Sequence, residues 1–192
     1  VDDAVECDRS SAPAQITTTG ANAARPVLIV LSAKDEERLK ERARRLLAVL
    51  RDGERAWSER DLADMAYTLQ VGREAMEERL ALIARSPMEL AEKLASFLAG
   101  RDDVTDVFRG RVGGPSPGST PADLTLFASD EDLHAVLGTW IAKGKYDTLL
   151  RLWVRGFAVD WEKLYDDHGV NGRPGQDRPR RLSLPTYPFA KE

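Results

Sequence analysis

The sequence predicts an α+β fold: a small three-stranded sheet packed against amphipathic helices in the order βααβαβ, followed by a helical appendage and an extended C-terminal tail. Three observations carry this. Val27-Leu28-Ile29-Val30-Leu31 is an aliphatic run without alternation, which suits a strand buried on both faces. Two further short segments, Arg79 to Ala84 and Val107 to Val112, read as strands. Between and after them lie apolar stripes at helical spacing.

The first strand begins at Pro26, which has no amide to give to a ladder, and its β-branched residues favour an extended chain. It is expected to be the central strand. Ser32, with Asp35 and Glu36, is read as the start of a helix carrying Leu39, Ala43, Leu46, Leu47 and Leu50 inward. Arg38, Glu41, Arg42 and Arg45 are expected to face water, and the helix to end near Asp52-Gly53. Ser58 with Asp61 opens a second helix, whose stripe of Leu62, Met65, Ala66 and Leu69 stops at Gly72. Ser86-Pro87-Met88-Glu89 combines an N-cap serine, a first-turn proline and a glutamate three residues on, and the helix after it runs to Gly100. In the third strand Val107, Arg109 and Arg111 share one face and Phe108 and Val112 the other. Its arginines and Gly110 suit an edge.

Composition divides the chain into a flexible linker (1–25), an α/β linker unit (26–112), a flexible Gly/Pro/Ser loop (113–121), a helical appendage of the same domain (122–165) and an extended C-terminal segment (166–192). In the appendage Ser129 caps a helix carrying Leu133, Val136, Leu137, Trp140 and Ile141, Gly144 breaks it, and a further helix runs from Tyr146 to Arg155. The tail ends in Leu182-Ser183-Leu184-Pro185-Thr186-Tyr187-Pro188-Phe189, which its prolines keep out of helices and inner strands.

A net charge of −4 argues against a general nucleic-acid binder. No apolar run approaches the roughly 20 residues that span a bilayer, and the N-terminus has no signal-like pattern, so the chain is read as cytoplasmic. One cysteine excludes an internal disulfide. Of the two histidines, His134 lies within a helical stripe and His168 in an Asp-Asp-His-Gly turn, outside any nucleophile or zinc signature. Asp166-Asp167-His168 as a metal site and Asp160 with Glu162 as a carboxylate pair are both outweighed by the reading of solvated surface. No cofactor is called for. Trp140, Trp153 and Trp161 are core residues or, alternatively, interface aromatics.

Val27 to Asp35, the motif Tyr67-Thr68-Leu69-Gln70-Val71-Gly72-Arg73 within Leu62 to Met76, and Arg79 to Ala84 together resemble the region after the ketosynthase in modular polyketide synthases. Val159-Asp160-Trp161 with Leu164-Tyr165, and the stretch from Pro179 to Phe189, are similar to the end of that region, where the chain returns to the ketosynthase. In the family's cis-acting modules an acyltransferase of several hundred residues lies between these parts; here the space holds only about seventy, too few for such a domain. The chain therefore resembles the acyltransferase docking domain, or ketosynthase flanking subdomain, of trans-acyltransferase synthases. The resemblance implies a non-catalytic docking module whose partners are the adjacent ketosynthase, a discrete malonyl-type acyltransferase and an acyl carrier protein, with no nucleic acid and no membrane. It assigns Leu184, Pro185, Tyr187, Pro188 and Phe189 to the ketosynthase side. A passive spacer, and a small enzyme using Asp160 or His168, are the alternatives. The tail is expected to be mobile in isolation unless it folds back onto its own domain.

Overall fold

Alternation along three short strands decides how everything else is placed. The structure, a computed structural model, describes residues 26–53, 55–101, 103–113, 139–141, 143–165 and 179–185. The strands β1 (Val27–Ala33), β2 (Glu78–Ala84) and β3 (Val107–Arg111) form one antiparallel sheet in the order β1-β2-β3. Helices α1 (Glu36–Arg51) and α2 (Glu59–Val71) connect the first two strands, and α3 (Pro87–Leu98) connects β2 to β3. Beyond β3 come α4 (Tyr146–Val154) and a 3-10 turn at Trp161–Leu164. The fold class is α+β, as expected.

Three expectations need correction. The middle of the sheet belongs to β2, and β1 lies at its side. An uninterrupted aliphatic run reports burial on both faces, which β1 has, and burial does not specify neighbours. The N-cap of α1 is Asp35, whose carboxylate accepts from Arg38 N at 2.8 Å. Ser32 is still in the ladder opposite Arg79, and its hydroxyl instead joins Glu74 O at 3.4 Å and Met76 N at 3.0 Å. Arg42 does not face water: it is 6% exposed and donates to Ser32 O.

Register sorts the side chains onto two faces. Ser32, Arg79 and Gly110 stand side by side, as do Leu31, Leu80 and Arg109. Arg109 pairs with Glu36 at 2.9 Å and its guanidinium lies 5.9 Å from the Phe97 ring, so α1 and α3 cover the face bearing Ile29, Leu31, Leu80 and Leu82. Arg151 stands 4.9 Å over Phe108, so α4 covers the opposite face. The capping box of α2, with Ser58 and Asp61 exchanging bonds, is as the sequence reads, and so is the Ser86 cap on α3, accepting from Glu89 N at 3.1 Å.

The seat of α4 is built into one cross-strand pair. Arg79, 8% exposed, donates to Trp153 O at 2.7 Å and stacks 5.0 Å from the Trp153 ring, placing a cation at the negative end of α4. Beside it, Gly110 leaves room for the last turn of that helix, since a Cβ there would lie 2.3 Å from Val154 O. The chain then turns back at Gly156, whose φ of +115° closes the helix with bonds from Gly156 N to Trp153 O and from Phe157 N to Leu152 O.

Two outcomes are expected. Gly110→Ala lowers stability by about 2 kcal/mol or more in urea denaturation because backbone must move, whereas Gly53→Ala, with nothing near its Cβ, stays within about 0.5 kcal/mol. Hydrogen bonds from Lys40 and Arg109 hold the Glu36 carboxyl below its ordinary value of 4.5. A carboxyl with a depressed folded pKa stabilises fully above the unfolded value and loses that contribution as pH falls through the folded one. Glu36→Gln therefore loses less stability than the parent when the pH is lowered from 4.5, in parallel denaturation curves.

Candidate interdomain surface

Helix α2 carries polar residues on a side that its apolar stripe marks as buried. Asp64, Thr68 and Gln70 are all buried among Leu62, Met65, Ala66 and Leu69. Buried polar groups must find partners, and here the partners come from both ends of the chain. Gln70 Nε2 donates to Leu28 O at 2.7 Å, reaching β1, while its Oε1 accepts from the Tyr165 hydroxyl at 2.6 Å. Burial, with a smaller contribution from Tyr67, pushes the Tyr165 phenol far above its ordinary value, so it remains a donor. Tyr67 meets the Tyr165 ring edge-on, with centroids 5.0 Å apart.

The other two receive the C-terminal segment. Arg180 N donates to Asp64 Oδ1 at 2.8 Å, and Leu182 N donates to the Thr68 hydroxyl at 2.8 Å. Four residues of helix rise about 6 Å and two residues of extended chain advance nearly the same, so the spacing of Asp64 and Thr68 matches that of Arg180 and Leu182. Arg73 completes the series by donating to Pro185 O at 2.7 Å. Burial lowers the pKa of its guanidinium. Leu182 and Leu184 pack on the core, and Leu184 and Pro185 sit against Leu31, Arg45, Leu46 and Leu69. Residues 179–185 therefore form a strap along α2, the folded-back alternative for this part of the tail.

Of the residues assigned to the ketosynthase side, Leu184 and Pro185 lie half-buried in this strap, and Tyr187, Pro188 and Phe189 fall outside the described residues. Among the tryptophans, Trp153 is 3% and Trp161 8% exposed, their rings meeting at 6.0 Å and 66° in this domain's own core. Trp140 is half-buried against that core, at the end of a helical stretch. Asp160 and Glu162 are exposed, and Asp160 pairs with Lys163 at 3.7 Å. His134 and Asp166-Asp167-His168 lie outside the described residues. Among the described residues no group of three His, Cys, Asp or Glu side chains is placed to hold a metal, and no helix is long and apolar enough to cross a membrane.

The residues that hold the strap are not candidates on sequence grounds. Their signal is an i, i+4 pair of polar side chains, Asp64 and Thr68, inside an apolar stripe. Thr68, Gln70 and Arg73 also fall within the Tyr67–Arg73 motif that carries the family resemblance.

Residues 30–101 match the family described as RhiE-like, KS-MAT linker domain. Over 167 residues, 87% of this chain, the sequence is 47% identical to polyketide synthase PksL and 44% identical to PksN, both of Bacillus subtilis (strain 168). The chain spans only 3% of the length of either. Among solved structures, the ketosynthase from module 6 of the bacillaene synthase from Bacillus subtilis 168 matches with a TM-score of 0.69 at 40% identity, covering 86% of this chain and 26% of that one. The ketosynthase from module 1 of the bacillaene synthase from Bacillus amyloliquefaciens FZB42 gives a TM-score of 0.69 at 40% identity, covering 87% and 26%.

The strap is expected to stabilise the domain. Removing residues 179–192 lowers the melting temperature by several degrees, the equivalent of about 1 kcal/mol or more. Thr68→Val, which keeps the shape and deletes the acceptor, reproduces part of that loss in the full chain and has little further effect once the strap is gone. An unchanged melting temperature on truncation contradicts the assignment.

Proposed function

We propose, from the match of residues 30–101 to the RhiE-like KS-MAT linker family and the likeness to polyketide synthases, that this chain is a non-catalytic linker that flanks a ketosynthase and helps recruit a discrete, trans-acting acyltransferase for loading of the acyl carrier protein. The observation that carries the reading is the return of the chain onto α2. Only roughly seventy residues separate β3 from the strap, less than an acyltransferase domain needs. The linker unit thus closes on itself with no room in the chain for the enzyme that cis-acting modules insert at this point.

In this reading residues 26–112 and 122–165 belong to one unit, 1–25 and 113–121 are its connecting segments, and 166–192 is its C-terminal segment. The ketosynthase side begins where the strap ends, with Leu184 and Pro185 leading into Tyr187, Pro188 and Phe189. Tyr187 and Phe189, two positions apart in the sequence beside Pro185 and Pro188, supply the apolar contacts of that side. Of Trp140, Trp153 and Trp161, Trp140 is the one with surface left for a partner. The domain works in the cytoplasm, within a multienzyme that makes an antibiotic-type polyketide.

Calorimetric titration of the full chain with its own discrete acyltransferase, and separately with the adjacent ketosynthase, tests this. Saturable binding to both is expected, with a dissociation constant near the micromolar range for the acyltransferase. Tyr187→Ala with Phe189→Ala should weaken only the ketosynthase titration. Heat from the ketosynthase alone leaves the passive spacer as the function. The chain by itself should not move a malonyl group to an acyl carrier protein, and activity sensitive to Asp160→Ala or His168→Ala would return the small-enzyme reading.

A further inference from the structure

The two sides of the sheet end differently. Ile83 N donates to Asp106 O at 3.0 Å and Val112 N to Glu77 O at 2.9 Å, so the odd-numbered main-chain groups of β2 face β3. By alternation the even-numbered groups of β2 face β1, which leaves Leu28, Val30 and Ser32 pointing outward there and Val107, Arg109 and Arg111 pointing outward from β3. At β1 side chains take that role: Gln70 closes Leu28 O and Arg42 closes Ser32 O. At β3 no group among the described residues closes the edge.

Beside this edge runs a groove of about 760 Å³, floored by α4 and bounded by the loop that precedes β3. A strand added to β3 would alternate its side chains between the two faces of the sheet. On one face it would meet Arg109 and Arg111; on the other, Arg151 from α4 and Arg155 just past its end. The groove's carboxylates are Asp103, Asp106 and Asp147, and Asp106 is engaged by Lys93 Nζ at 3.4 Å. Arg155 pairs with no carboxylate among the described residues. Arg151 holds Asp147 at 3.3 Å with both side chains more than half exposed, a weak pair that an incoming carboxylate can replace, while Arg111 and Arg109, 64% and 40% exposed, keep Glu78 and Glu36 at 3.5 and 2.9 Å and have guanidinium donors left for a second carboxylate.

We propose that the outer edge of β3 and its groove receive an extended, acidic peptide segment of a partner protein as a fourth strand, read by main-chain pairing and by arginines on both faces. The inference rests on the sheet and does not depend on the linker reading.

The test is a titration of the isotopically labelled full chain with the hexapeptide Val-Glu-Asp-Val-Glu-Asp, whose acids fall on both faces of an extended strand, capped at both ends and followed by amide shifts. Saturable shifts are expected at Val107, Arg109 and Arg111 and along α4. Exchanging the acids for lysine, or N-methylating alternate amides of the peptide, should weaken binding at least tenfold. Arg155→Glu, at a side chain with no ion pair among the described residues, should weaken it about threefold or more and leave the shifts elsewhere unchanged. The proposal is overturned if β3 shows no shifts up to about 1 mM peptide, since a site weaker than this has little specific affinity; the arginines then serve only to keep other strands away. Equal binding of the lysine or N-methylated peptide overturns it as well.

Discussion

A sheet of three strands, two of them buried on both faces, must still satisfy the main chain along its sides. For β1 the solution is two long polar side chains, Gln70 from α2 and Arg42 from α1, reaching carbonyls that a fourth strand would otherwise take. Gln70 cannot do this alone, because its own carbonyl oxygen would then be buried without a donor. The Tyr165 hydroxyl supplies that donor. The position of Tyr165, and with it the turn through Trp161 and Leu164, follows from how β1 is finished.

The same economy recurs at α4. The end of that helix approaches the sheet over Gly110 and rests against Arg79, so one register pair supplies both the space and the charge. The appendage is thereby fixed to the middle strand through polar contacts as well as by the packing of Leu149, Leu150 and Trp153. Deleting a single buried partner in such a network leaves another group unsatisfied, which costs more than the bond itself is worth.

Much of this was legible in the residues. Caps at Ser58 and Ser86, the helix ends at Gly72 and Gly100, three strands and the two-faced pattern of β3 are local signals, and local chemistry determines them. What escaped was whatever depends on a distant partner. Hydrophobicity reports that β1 is buried without saying whether a strand or a helix does the burying, so its place at the side of the sheet is not legible in its residues. Arg42, at a position that looks like a solvated face, is drawn inward by a carbonyl ten residues earlier. Ser32 has the composition of a cap and the position of a ladder residue. Asp64 and Thr68 carry no local sign of their role because their partners, Arg180 and Leu182, lie more than a hundred positions away.

The strap has a mechanical meaning. It runs along α2 in the same direction as the helix, meeting Asp64, then Thr68, then Arg73. Tension applied beyond Pro185 along that axis would load all three bonds together, in shear. Tension directed away from the helix would open them one at a time, Arg73 first. At the other end of the described chain, a pull on Pro26 along β1 would slide the seven residue pairs of the β1–β2 ladder past one another. The domain would therefore transmit force along its strand and helix axes as a stiff body, and yield by peeling when the pull comes from the side.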